Sequence, residues 1–253
     1  VSEYMLQQTP VNRVLPKWSE WMKRWPTPQD LAKATPAEVI TAWGRLGYPR
    51  RALRLHAAAQ IIAEDFNNKV PEDQEILQLL PGIGEYTAAA IAAFAFEQRS
   101  LVMDVNIRRL LIRAIDGEEH PKPAPTAREK ARCLEILPIK NAHVWAAATM
   151  ELGALVCTSK NPACELCPII SQCQWRKNGY PKTELVRKSQ DWHGTDRKCR
   201  GTIVQALREN VSLTETSIKK LWPDESQVEK ALKTLLEDQL IQALPRHRYR
   251  LPQ

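Results

Sequence analysis

Apolar residues recur at every third or fourth position through most of the first 180 residues, the spacing that lines one face of an α-helix. The pattern is clearest in Val39–Trp43, Ala52–Ile62, Ile107–Ile115 and Val144–Val156. Thr87–Phe96 is rich in alanine, whose small side chain lets helices approach closely. Pro26-Thr27-Pro28, Thr35-Pro36 and Pro71-Glu72 each stand where a helix would begin, because proline presets φ and threonine can cap free amides. No segment in this part alternates as a strand does. His120–Thr126, with three prolines, reads as a surface connection.

Between 181 and 198 the chain turns polar and loses its period, as a linker would. Beyond it the pattern predicts helices over Gly201–Arg208, over Thr214–Leu221 with Thr214 as cap, and over Glu225–Asp238, where Val228, Leu232, Leu235 and Leu236 share a face. Leu240–Leu244 and Tyr249–Leu251 then suit a short hairpin. The expected fold is mainly α: a helical domain over 1–180, a linker over 181–198 and a winged-helix-like module over 199–253. Such modules contact either DNA or other proteins, and both readings stand.

At 253 residues the chain can bury one large core or two modest ones, and 43% hydrophobic content excludes wholesale disorder. A net charge of +7 favours an anionic partner such as nucleic acid. The longest apolar run, Ala88–Phe96, is too short to cross a bilayer, so no membrane partner and a cytoplasmic location are expected. Four of the six cysteines fall between 157 and 173, while Cys133 and Cys199 stand apart without an assignable role. That clustering suits a metal site in a reducing compartment rather than a disulfide framework. The chain begins at Val1 rather than methionine, directly ahead of a motif, so an N-terminal piece is expected to be missing.

The cysteines run Cys157-x6-Cys164-x2-Cys167-x5-Cys173. Four thiolates can close on zinc or on a cubane, but zinc usually takes paired CxxC knuckles, and only Cys164 and Cys167 form one. The irregular spacing favours a [4Fe–4S] cluster. Upstream, Leu79-Leu80-Pro81-Gly82-Ile83-Gly84-Glu85-Tyr86-Thr87 joins two helical patterns. Its proline ends the first helix, and Gly82 and Gly84 allow a tight turn whose following helix offers free N–H groups to a phosphate. Further on, Met103-Asp104-Val105-Asn106 precedes a basic stretch, Ile107-Arg108-Arg109-Leu110. An aspartate placed so is ordinarily a helix cap.

Together the cysteine spacing, the hairpin and the downstream Asp104 resemble the endonuclease III and adenine DNA glycosylase (MutY) superfamily, over roughly Val1 to Tyr180. Within it, Val1-Ser2-Glu3-Tyr4-Met5-Leu6-Gln7-Gln8-Thr9 is similar to the adenine glycosylase motif. The resemblance implies a helix–hairpin–helix over about 73–96, a [4Fe–4S] loop over 157–173 and double-stranded DNA with an adenine mispair as partner. It also implies a monomeric base-excision repair enzyme associated with the nucleoid, hydrolysing the N-glycosidic bond of adenine opposite 8-oxoguanine or guanine. Glu3, on an apolar helix where burial would raise its pKa, becomes the acid that protonates adenine. Asp104 becomes the carboxylate facing C1′, with Tyr86 and Asn106 holding it and the sugar. Leu6 and Gln8 would fill the gap left by the flipped base, Tyr48 of Leu46-Gly47-Tyr48 would stack beside the oxidised guanine, and Lys160 would meet a phosphate. Tyr86 stands where superfamily members that also cut the backbone carry a nucleophilic lysine, implying a monofunctional enzyme.

The sequence departs from that family in several places. The leader that family members carry before the VSE motif is expected to belong to the missing N-terminal piece, and Pro49 follows Tyr48 where a second tyrosine is usual. Ala147 stands where Gln or Glu would face adenine. The C-terminal part is shorter than the usual Nudix-like module, so discrimination between A·8-oxoG and A·G is expected either to be weaker or to rest on Tyr48 and Gln8 alone. Alternatives are an endonuclease III-like glycosylase with lyase action and a non-catalytic iron–sulfur DNA-binding protein.

Overall fold

The computed structural model describes residues 1–183 and 194–253; residues 184–193 of the expected linker lie outside them. The described residues divide into two units that do not follow chain order. The first holds Val1–Pro71, Leu80–Gly82 and the residues after 193; the second holds Glu72–Leu79 and Ile83 to Thr183.

In the first unit, α1 (Ser2–Leu6), α2 (Val11–Arg24), α3 (Pro28–Ala32), α4 (Pro36–Trp43) and α5 (Arg50–Asp65) follow one another. The sequence punctuation acts as expected at α3 and α4. Thr27 and Thr35 form capping boxes with Asp30 and Glu38, each with proline at the first helical position, worth about 1 kcal/mol per cap. Trp21 packs edge-on against both Trp25 and Trp43 in the buried interior.

The C-terminal elements belong to this unit too: α12 (Asp196–Glu209), β1 (Leu213–Thr214), α13 (Glu215–Lys219), α14 (Glu225–Glu237), β2 (Gln242–Leu244) and β3 (Arg248–Arg250). The strands form an antiparallel sheet in the order β1-β3-β2, with Tyr249 of β3 opposite both Leu213 and Ala243. Two expectations shift here. The first helix begins at Asp196, inside the stretch read as linker, because Thr195 caps it and its charged first turn hides the period. Leu213–Thr214 adds a strand the pattern did not announce. Cys199, Ile203, Val204 and Leu207 of α12 share one apolar cluster with Ile40 of α4. Arg208 donates to the Ile40 carbonyl at 3.1 Å. Burial and repulsion from Arg45 push its pKa down to about 10, so it stays charged at neutral pH.

The second unit contains α6 (Gln74–Leu79), α7 (Glu85–Phe96), α8 (Val105–Leu111), α9 (Ala127–Ile136), α10 (Ala142–Leu155) and α11 (Gln174–Lys177). α6 starts two residues after Glu72, because Asp73 accepts from the amides of Glu75 and Ile76. α8 runs on through a π-type turn, Ile112–Asp116, that ends at Gly117. Ala90 and Ala93 of α7 pack with Val102, Ile107, Leu111, Cys133 and Ala146 in an apolar core. Among the described residues no helix is long and apolar enough to cross a membrane.

Candidate active site and cysteine loop

α1 has five residues, too few to be stable alone. Its C-terminal end is held by Arg51 of α5, whose buried guanidinium donates to the carbonyls of Tyr4 (3.0 Å), Met5 (3.1 Å) and Gln7. The same group donates to Thr9 Oγ1 (2.9 Å), Leu46 O (3.4 Å) and Gly47 O (3.0 Å). A cation thus sits where the last carbonyls of a helix lack partners. It also joins α1 to the turn after α4.

On either side of this hub, Gln8 (φ +57°) and Tyr48 (φ +47°) adopt the left-handed backbone region and are exposed. Residues with side chains enter that region at a cost, so both are held there by surrounding contacts. Pro81 and Gly82, which belong to the same unit, are fastened to this segment. Tyr4 Oη donates to Pro81 O at 2.6 Å, and Gln7 Nε2 reaches Gly82 O at 3.4 Å. Gly82 has φ +84°, and a β-carbon there would lie 2.9 Å from the Tyr4 ring and from Arg54. Burial pushes the Tyr4 phenol up, against the pull of Arg54. Glu3 and Leu6 lie half-buried on α1.

The remaining candidates belong to the second unit. Gly84 is the N-cap of α7, and Tyr86 lies half-buried in its first turn against the apolar core. Asp104 is the N-cap of α8, its carboxylate accepting from the Asn106 amide at 2.6 Å. The ordinary role of such an aspartate is therefore present alongside the catalytic one implied by resemblance. Asn106 Oδ1 in turn accepts from Arg109 at 2.9 Å. Arg109 also donates to Gly153 O of α10 and, at 2.7 Å, to Cys157 O. A continuous set of hydrogen bonds thus connects Asp104 to the first cysteine. Ala147 is exposed on α10.

The stretch read as basic does not face outward. Arg108 is buried, paired with Glu129 at 2.6 Å and donating to Lys122 O at 2.8 Å. Arg113, 1% exposed, lies against the cysteine loop. It donates to Glu119 O (2.9 Å), Thr158 O (2.8 Å) and Cys157 Sγ (3.4 Å), and stacks over Trp175 at 4.5 Å.

Cys157, Cys164, Cys167 and Cys173 line one concavity with Arg113, Val156, Ile169 and Trp175. None of the four is in a disulfide. Burial pushes the Cys164 and Cys167 thiols up. Among the described residues, no three or more His, Cys, Asp or Glu side chains group as they would around a metal ion. Lys160 is exposed, its carbonyl accepting from Thr158 Oγ1 at 2.7 Å. Cys133 and Cys199 are buried core thiols, each pushed up to about 11, chiefly by burial.

Sequence reasoning passed over Arg51, Arg109, Arg113 and Gly153. The arginines carry no local signal, since their acceptors lie up to 48 positions away. Gly153 did carry one: a glycine inside a helical pattern marks a close approach.

Residues 1–135 match the model of the HhH-GPD superfamily of base excision DNA repair proteins. The chain is 46% identical over 256 residues to an adenine DNA glycosylase of Mycobacterium tuberculosis, covering 100% of this chain and 84% of that protein. It is 45% identical to one of Mycolicibacterium smegmatis, covering 99% and 86%. The human adenine DNA glycosylase is 41% identical over 180 residues, covering 70% of this chain and 33% of that protein. Among solved structures, a thermostable thymine-DNA glycosylase superposes with a TM-score of 0.65 at 22% identity, covering 70% of this chain and 82% of that one. An endonuclease III bound non-covalently to DNA superposes with a TM-score of 0.61 at 20% identity, covering 71% and 84%. These two show the shared helical fold.

Proposed function

The chain belongs to the HhH-GPD superfamily of base excision DNA repair proteins, among the adenine DNA glycosylases, and from that membership we propose how its residues divide the work. It is a repair enzyme that hydrolyses N-glycosidic bonds in DNA. The substrate we assign is adenine opposite 8-oxoguanine or guanine in duplex DNA, with the protein acting as a monomer beside the cell's DNA.

In this reading the target adenine leaves the stack. Glu3 donates a proton to a ring nitrogen, and the C1′–N9 bond breaks with its electron pair departing on adenine. The sugar is left as an oxocarbenium-like cation, which the Asp104 carboxylate faces until water adds at C1′. Adenine and an abasic site are the products. Tyr86 and Asn106 hold the carboxylate and the sugar. Leu6 and Gln8 fill the gap, Tyr48 stacks by the opposite base, and Gly82, Gly84 and Lys160 meet phosphates.

The observation that carries this reading is the fixed setting of Asp104. Its carboxylate is tied to the Asn106 amide, and Asn106 is tied through buried Arg109 to α10 and the cysteine loop. A group aimed at a transient cation gains from such preorganisation.

We assign the cysteine quartet to a [4Fe–4S] cluster. The fit rests on four disulfide-free thiols lining one largely apolar concavity and on the Arg113 N–H directed at Cys157 Sγ, since thiolates are the ligands such a cluster takes. Bound there, the cluster would organise the 157–173 loop and supply no base chemistry. The three C-terminal helices and β1-β3-β2 sheet support a winged-helix-like module over 199–253.

Single-turnover adenine release from an A·8-oxoG duplex, read by alkali cleavage, tests the assignment. Glu3→Gln and Asp104→Asn should each lose at least about 100-fold in rate while still binding the duplex. Full activity in Glu3→Gln would overturn it.

A further inference from the structure

Tyr48 is not packed as a core aromatic. The residue is 43% exposed and its backbone is held at φ +47°. Two cations lie near its ring, with the guanidinium carbons of Arg51 and Arg197 each 5.4 Å from the centroid. Arg51 is buried and committed to carbonyl acceptors around Gly47. Arg197 is exposed, and its Nη1 donates to the Tyr48 hydroxyl at 2.7 Å across 149 positions of sequence.

Arg197 comes from the first turn of α12, a helix that is itself fixed. Cys199, Ile203, Val204 and Leu207 are buried around Ile40. Asp238 takes Arg200 from α12 and Arg50 from α5, the latter at 3.1 Å. The donor on the tyrosine hydroxyl therefore rides on an anchored element.

We propose that Arg197 is a positioning residue for base-pair recognition. It fixes the far end of the Tyr48 ring, so that the C-terminal module takes part in setting the face on which a DNA base stacks. This rests on reading Tyr48 as a stacking residue. A phenol pinned at its oxygen, with its backbone strained but held, cannot swing about χ1 without breaking a charge-assisted hydrogen bond. The ring is then presented to an incoming base without an ordering step on binding. One charge-assisted hydrogen bond has the size to matter: its loss corresponds to about tenfold or more in affinity.

The test uses the full chain and duplexes containing A·8-oxoG or A·G, with wild type, Arg197→Ala, Tyr48→Phe, the double variant and Tyr48→Ala. Arg197→Ala should raise the half-saturating concentration of the A·8-oxoG duplex about tenfold and leave the maximal single-turnover rate within about twofold. Tyr48→Phe, which keeps the ring and removes the acceptor, should show the same defect. Adding Arg197→Ala to it should change nothing further. Because Arg197 is exposed, thermal melting should stay within about 2 °C of wild type.

If Arg197→Ala has the same effect on the wild type as on the Tyr48→Phe variant, the proposal is overturned, since the arginine would then act independently of the hydroxyl. An unchanged Arg197→Ala alongside an impaired Tyr48→Ala would also overturn it, and would leave the stacking role of Tyr48 standing. If Tyr48→Ala is also unchanged, the stacking reading fails and the proposal with it.

Discussion

The α-carbon of Gly153 in α10 lies against the backbone of Asn106 in α8. A β-carbon on Gly153 would sit 2.5 Å from the Asn106 carbonyl oxygen and 2.7 Å from its carbonyl carbon. The first turn of α8, with Asp104 as its cap, is thus seated on a bare stretch of helix. Replacing a mid-helix glycine with alanine ordinarily stabilises a protein by about 1 kcal/mol. Gly153→Ala should instead cost about 1–3 kcal/mol through overpacking. A displaced Asp104 should also slow adenine release by about 100-fold, as misplacement near 1 Å does. Thermal melting and single-turnover rates measure both effects; a stabilised, fully active variant would show that α8 shifts freely.

Arg51 should be among the costliest residues to lose in the first unit. Arg51→Met leaves the carbonyls of Tyr4, Met5, Gln7, Leu46 and Gly47 without their charged donor. A loss of about 3 kcal/mol is expected, a fall in Tm of roughly 6–12 °C for a chain of this size. Calorimetry of the variant measures it, and a fall under about 3 °C would mean that water substitutes for the guanidinium.

Tyr86 stands where an amine nucleophile would have to be. Borohydride should not trap the wild-type protein on an abasic duplex, since no imine forms at C1′. Tyr86→Lys should introduce trapping, visible as a slower band on a denaturing gel. Efficient trapping by the wild type would contradict monofunctional action.

Under the proposed cluster assignment, Arg113 should govern retention of the cluster. Its guanidinium meets Cys157 Sγ and the carbonyl of Thr158 while stacking on Trp175. Arg113→Gln should lower the iron recovered per protein severalfold and bleach the broad visible absorption, with the total helical signal in far-UV circular dichroism largely retained. Arg113→Lys keeps the charge but loses the planar fork and should fall between the two. Unchanged iron content in Arg113→Gln would separate the arginine from the site.

Several helices of this chain were legible because their first turns carry their own signal. Thr27, Thr35 and Thr214 accept from the third helical amide, and a cap acts over three residues. The cysteine spacing was equally local. What could not be read were the directions of the arginines. Arg108 and Arg109 look like a basic surface in sequence, yet Glu129, Asn106, Gly153 and Cys157 draw them inward. A charged side chain goes to its partners, and those partners are set by tertiary structure. The same limit hid the contact between Arg197 and Tyr48, whose closeness depends on α12 docking beside Ile40.

That docking bears on how the chain is made. The Ile40 carbonyl receives Arg208 from 168 residues further along. At roughly 5–20 residues per second of synthesis, α4 leaves the ribosome on the order of ten seconds before the helix that covers it. Throughout that interval Ile40 has no Ile203, Val204 or Leu207 to bury it. A chain ended before residue 194 would lack these residues and leave that side of Ile40 without its apolar partners.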